Sequence, residues 1–223
     1  MELSIDTASE LTSVALSREG AVVDEITWLC RRNHTVELLP TIDRLLDRGD
    51  IDKRGLTAVF VTTGPGMYTG LRVGIATAKG LARALGLPLL GVGRLELDAY
   101  PHKRFAGTIV AVHRAGRGDL AWASYAGEPW RELTPPKLSK PEELVRGLGT
   151  PALVVGEVEE GLREVAAAVA GVACAPAAEI GRAASLAALG YLRLSGGAPA
   201  EPALLRPVYL RPPAIGPQGG GSP

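Results

Sequence analysis

Residues 64–82 read GPGMYTGLRVGIATAKGLA, and the fold turns on this stretch. Ala58-Val59-Phe60-Val61 precedes it, an apolar run without polar alternation, as in a strand covered on both faces. The glycines at 64–70 end that strand. The apolar spacing then takes the helical period from about Thr69 to Leu85, where Gly86 and Pro88 stop it. The loop is not a P-loop, because no Gly-Lys-Ser/Thr closes it. It is not the dinucleotide fingerprint either, since Gly64, Gly66 and Gly70 are spaced one residue too far and Pro65 separates the first two. Within the helix Gly70, Gly74, Ala78 and Ala82 recur every fourth residue and share one face. Glycine inside a helix costs ~0.8–1 kcal/mol relative to alanine. The stripe therefore needs a close neighbour, either this chain's own sheet or a helix from another chain.

Upstream, residues 2–6 read as a first strand ending at Asp6-Thr7-Ala8-Ser9. Two further β-rich runs flank Glu19-Gly20, a hairpin signal. In residues 34–48, Leu38, Leu39, Ile42, Leu45 and Leu46 mark one helix face, with Asn33 placed as N-cap and Pro40 expected to kink the first turns. Downstream, Leu89–Val92, Thr108–Val112, Leu120–Tyr125 and Leu153–Gly156 read as strands, the middle two around the turn Gly116-Arg117-Gly118-Asp119. Helices are expected from Pro141 to near Gly147, over 157–169 and over 182–194. The tail from Pro212 reads as disordered. The pattern predicts an α/β protein of two lobes.

With 223 residues the chain can bury a sizeable core, and at 4% aromatics that core must be aliphatic. Lys plus Arg and Asp plus Glu number 24 each. A zero formal charge predicts weak RNA binding by the chain alone, since phosphate neutralisation supplies most such affinity. The small basic groups are Arg31 with Arg32, and Arg114 with Arg117. Cys30 and Cys174 stand apart and read as reduced, structural residues. No signal peptide and no membrane-length apolar run is evident, so a cytoplasmic protein is expected. His34, His102 and His113 are isolated in sequence, and neither a metal site nor a cofactor is expected.

The motif stretch resembles the hallmark loop and helix of the TsaB (YeaZ) family. It keeps Gly64-Pro65-Gly66, Thr69-Gly70-Leu71-Arg72 and Ala78-Lys79-Gly80-Leu81-Ala82, with Tyr68 in the aromatic place and Met67 where Ser is usual. Ile5-Asp6-Thr7 with Ser13-Val14-Ala15, His34 with Leu38-Leu39-Pro40, and Pro207-Val208-Tyr209-Leu210-Arg211 are similar to further family stretches. The likeness is dense over 2–95, thin over 104–200 and returns at 207–211. It departs at Arg114, where the family often has Asp.

The resemblance implies the actin-like (ribonuclease H-like) fold, with lobe one at 1–103 and a second, reduced lobe at 104–211 whose last helix packs back on lobe one. It implies a non-catalytic partner of a TsaD-like subunit. With a TsaE-like ATPase, that complex attaches threonylcarbamoyl to N6 of adenosine 37 in tRNAs reading ANN codons. tRNA would meet the chain only within the complex, and a homodimer is a further expectation for the free form. Leu38, Ile42, Leu45, Gly70, Gly74 and Ala78 are the expected partner contacts. Asp6, Thr7 and Ser9 stand where actin-like ATPases hold magnesium and phosphate. Turn chemistry is the favoured reading of them, because residues 104–200 lack the second phosphate loop that such an ATPase needs. An actin-like small-molecule kinase or ATPase is the alternative.

Overall fold

The computed structural model describes residues 1–31, 33–176, 181–200 and 203–211. Arg32 and the tail from Pro212 lie outside the described residues. The chain opens with β1 (Glu2–Asp6), β2 (Leu11–Arg18) and β3 (Ala21–Leu29), then α1 (His34–Arg48), β4 (Ala58–Gly64), α2 (Tyr68–Leu85) and β5 (Leu89–Gly93). After α3 (Arg94–Ala99) come β6 (Thr108–Arg114), β7 (Leu120–Ala126), β8 (Arg131–Ser139), α4 (Pro141–Arg146), β9 (Ala152–Gly156), α5 (Glu160–Ala167), β10 (Val172–Cys174) and α6 (Ala183–Ser195).

The strands form two sheets, ordered β3-β2-β1-β4-β5 and β10-β9-β6-β7-β8. In the first, β1 runs antiparallel to β2 and parallel to β4. In the second, β6 runs antiparallel to β7 and parallel to β9. Counted from its own first strand, each sheet has the order 3-2-1-4-5. The second lobe thus keeps all five strands, and its reduction lies in the helices: α4 and α5 have 6 and 8 residues, against 15 and 18 in α1 and α2.

Helices cover both faces of the first sheet, and the strand sequences reflect it. Val59 and Val61 of β4 join Leu3 and Ile5 of β1 under α1 and α2. Ala58 and Phe60 point the other way, onto Leu186 and Leu189 of α6. Both faces of the strand are apolar because both are buried. The hairpin turn carries Glu19 at φ 52° and Gly20 at φ 76°, the left-handed pair that a two-residue β-turn requires. Asn33 stands at the N-cap of α1 without a side-chain cap; its carbonyl accepts from Val36 and Glu37. Pro40 lies on the exposed side and the helix runs through it.

Several elements differ from the sequence expectation. β8 carries Pro135-Pro136, which argue against a strand, yet it is an edge strand where a missing N–H is tolerated. α5 begins at Glu160 and not 157, because the Glu157 backbone N–H bonds to Val112 O and extends the β9 end. α3 is too short for periodicity to announce. Residues 183–195 pack back on the first sheet, so the second lobe proper is the segment around its own sheet.

Two helical glycines have opposite surroundings. A Cβ on Gly190 of α6 would overlap the Phe60 ring, whereas one on Gly80 of α2 would meet nothing. Gly190→Ala is expected to lower stability by about 1–3 kcal/mol, and Gly80→Ala to raise it by up to ~1 kcal/mol. Urea denaturation of both variants checks the signs.

Candidate functional site

The motif loop is pinned to the end of β1. Met67 N–H donates to Ala8 O at 2.9 Å, and Thr7 Oγ1 donates to Gly70 O at 2.7 Å. A side chain on Gly66 would strike Ala8 O, and on Gly70 Thr7 O. One on Gly74 would strike the Thr7 hydroxyl. Gly64 adopts φ 110°, and Pro65 is buried beside it. At the start of the helix Tyr68, Thr69 and Arg72 face solvent.

This placement corrects the expected partner contacts. Gly70, Gly74 and Ala78 face the chain's own β1, and Leu38, Ile42 and Leu45 lie in the core beneath α1. All six are buried within this chain, so none is available to another. The small-residue spacing is explained by backbone contact inside the lobe. The outward faces of the same helices carry a different set. Val36 and Leu39 of α1 are 71% and 50% exposed, and Ala76, Gly80 and Ala84 of α2 are exposed as well.

Asp6, Thr7 and Ser9 each have an internal partner. Asp6 Oδ1 accepts from Ala8 N–H at 3.1 Å, the turn bond expected of such a residue. Ser9 Oγ donates to Leu11 O at 2.9 Å. Arg182, just before α6, then reaches both: its Nη1 lies 3.3 Å from Asp6 Oδ2 and 3.1 Å from Ser9 Oγ. His34 is a packing residue, buried with Nε2 3.2 Å from Thr12 Oγ1.

Arg182 belongs to a chain of alternating charges lining an interlobe cleft of about 830 Å³. Its Nε donates to Asp98 Oδ1 at 2.5 Å. Asp98 Oδ2 faces Arg94 Nε at 3.5 Å, and Arg94 Nη2 donates to Glu157 Oε1 at 2.6 Å. Burial pulls the Arg182 guanidinium down, and the carboxylates of Asp98 and Asp6 more than reverse it, so it stays charged. His113 Nδ1 lies 2.8 Å from Glu157 Oε2 and 2.9 Å from Arg94 Nη1, so the imidazole is wedged between the two charged groups. Arg114, at the position where an Asp was expected, bonds through its backbone N–H to Glu157 and through Nη1 to Glu159. Of these groups sequence reasoning had singled out Asp6 and Ser9, His113 as an isolated histidine, and Arg114 both as a departure and as a basic group. Arg94 and Asp98 stand one helical turn apart on α3, but Glu157 and Arg182 lie far from them in the chain, and no local pattern joins the three segments.

The stretch 207–211 straps the lobes together. Val208 N–H donates to Thr63 O at 2.8 Å in the first lobe. Arg211 donates to Ala115 O and Gly116 O at 3.0 and 2.9 Å, and pairs with Asp119, in the second.

A family model described as TsaD: tRNA N6-adenosine threonylcarbamoyltransferase matches residues 10–204. The tRNA threonylcarbamoyladenosine biosynthesis protein TsaB of Bacillus subtilis (strain 168) is 36% identical over 123 residues, 55% of this chain and 54% of that protein. Its namesake in Escherichia coli (strain K12) is 38% identical over 125 residues, with the same shares. YeaZ from Pseudomonas aeruginosa superposes with a TM-score of 0.77 at 27% identity, covering 94% of this chain and 99% of that one. The chain belongs to the TsaB (YeaZ) family. The matched stretch spans about half the length of the two curated TsaB relatives. The YeaZ superposition takes in both lobes, so the actin-like fold of the TsaB family extends over the segment where sequence likeness is thin. Among the described residues no three His, Cys, Asp or Glu side chains converge as a metal site, and no helix is long and apolar enough to cross a membrane.

Burial pushes Glu157 up, but the His113 bond and the nearby Arg94 charge outweigh it and hold the carboxyl well below its ordinary value of 4.5. A carboxylate depressed in the folded state stabilises above its unfolded value and loses that contribution as pH falls. Glu157→Gln is therefore expected to be about 1–3 kcal/mol less stable than the parent at neutral pH. The gap should close as pH falls below about 4. Urea denaturation at stepped pH measures it, and a gap that ignores pH would show that the charge is not what matters.

Proposed function

We propose that this chain is the non-catalytic scaffold and activator of a complex that attaches threonylcarbamoyl to N6 of adenosine 37 in tRNAs reading ANN codons. It pairs with a TsaD-like catalytic subunit, and a TsaE-like ATPase acts through that complex, in the cytoplasm. The observation that carries this reading is the uncovered outer surface of α1 and α2. Val36 and Leu39 of α1 stand exposed, as do Ala76, Gly80 and Ala84 of α2, and a Cβ on Gly80 would meet nothing, so another helix could approach closely. Exposed β-branched and leucine side chains beside small residues suit helix-on-helix packing. The names carried by the TsaB relatives supply the pathway. The pairing of Asp6 with Arg182 supports a passive role, because the acid that a nucleotide site of this fold would use is already neutralised. The same outer surface would serve a homodimer of the free subunit.

Gly80→Arg and Leu39→Asp test the surface without touching the core. Both are expected to leave the melting temperature near that of the parent and to weaken pairing with the catalytic subunit by at least tenfold, about 1.4 kcal/mol. Gly74→Arg, by contrast, is expected to unfold the protein, since Thr7 occupies the space. Gel filtration and calorimetric titration with the partner read the pairing; parental affinity in both outer variants would overturn the assignment. The chain alone, given tRNA and threonylcarbamoyl-AMP, should yield no modified tRNA, and robust transfer without a partner would sink the scaffold reading.

A further inference from the structure

α2 contains three cations, Arg72, Lys79 and Arg83, and no acidic residue anywhere along its length. Positions 72, 79 and 83 share one helix face over about 16 Å. Beside that face runs the strap, and the two enclose a groove of about 620 Å³ whose lining includes Arg72, Lys79, Arg206 and Tyr209. The arginines of the cleft and the strap anchor are engaged: Arg94 with Glu157, Arg114 with Glu159, Arg182 with Asp98 and Arg211 with Asp119. Among the described residues Arg72, Lys79, Arg83 and Arg206 pair with no carboxylate. This flank of α2 therefore carries cations with no acid on the same helix to offset them.

The same flank carries an aromatic pair. Tyr68 and Tyr209 have ring centroids 5.2 Å apart with planes tilted by 31°, and the Arg72 guanidinium lies 4.0 Å over the Tyr68 ring. Tyr68 remains 37% exposed although it is one of only five tyrosines in the chain. Cations alone would suit any polyanion. Aromatic rings set among them add stacking, the combination by which single-stranded nucleic acid is held without sequence readout.

We infer that this groove, between α2 and residues 206–209, binds a single-stranded segment of RNA, with Lys79, Arg83 and Arg206 on phosphates and the Tyr68–Tyr209 pair against a base. The inference rests on the proposed role in tRNA modification and names where the subunit would touch the substrate. It also moves the RNA contact away from the basic groups suggested by sequence. Arg114 is bound to Glu159 and Arg117 sits in a left-handed turn at φ 57°.

The test is fluorescence anisotropy with a labelled, unmodified tRNA transcript, titrated with the chain alone at low salt and with the chain plus its catalytic partner. Lys79→Glu/Arg206→Glu is expected to weaken binding at least tenfold and to flatten the dependence of log affinity on log salt by about 1.5–2. Tyr209→Leu should weaken binding while leaving that slope unchanged. Gel filtration with the partner is run on each variant. RNA affinity that stays parental in the charge-reversed variant overturns the inference, and if pairing is lost in the same variant the groove instead receives an acidic protein surface. Should the parent chain fail to pair with any catalytic subunit, the scaffold reading fails, and the titration of the chain alone still decides the RNA site.

Discussion

The first turn of α2 rests directly on the backbone of Thr7 and Ala8, and the rest of the first lobe is arranged around that contact. No side chain fits between the two segments: Gly66 faces Ala8 O, and Gly70 and Gly74 face Thr7. The Thr7 hydroxyl closes the joint on Gly70 O, and Ala8 O is taken by Met67 N–H. Three consequences follow. α2 lies low enough for Ile75, Ala78 and Ala82 to enter the core with Leu38, Ile42 and Leu45. The small inner stripe is consumed, so only outer positions remain for a partner. Residues 7–9, at the place where this fold can hold phosphate, are already engaged within the chain.

A second constraint acts between the lobes. Burying charges is costly unless each meets its opposite, and removing one member of a buried pair typically costs ~3–5 kcal/mol. Glu157, Arg94, Asp98, Arg182 and Asp6 satisfy this as a series running from the end of β9 to the end of β1. The strap adds a separate tie through Thr63 on one side and Asp119 on the other. Ion pairs and a peptide strap together span the cleft.

The first lobe was legible because its signals are local. The Glu19-Gly20 turn, the period change at 34–48 and the strand–loop–helix at 58–85 each lie within one window, and all three elements form. The second lobe was less legible for physical reasons. β8 hides behind two prolines that only an edge position tolerates, and α3 and β10 are too short to show a period. The repeated 3-2-1-4-5 order is a property of strand pairing and leaves no trace in residue identity. For the site, Asp6 and the glycines were visible, but their partners were not. Arg182 is 176 residues from Asp6, so only the folded chain joins them. The glycine stripe signalled close approach correctly and could not say to what.

The two ends of the chain's family likeness, 64–82 and 207–211, are separated by more than a hundred residues and meet at Tyr68 and Tyr209. In sequence the second was a short motif without a function. In the fold it holds the lobes together through Val208 and Arg211 while presenting Arg206 and Tyr209 beside α2. Its anchor residues face inward and its remaining side chains complete an outward groove. The overall balance of 24 cations against 24 anions hides this, because balance over a whole chain says nothing about where pairs form. The cleft and the strap anchor hold arginines in pairs with acids, whereas Arg72, Lys79, Arg83 and Arg206 beside the groove have no such partner among the described residues. Internal pairing, and not composition, is what decides which surface of this protein carries a field.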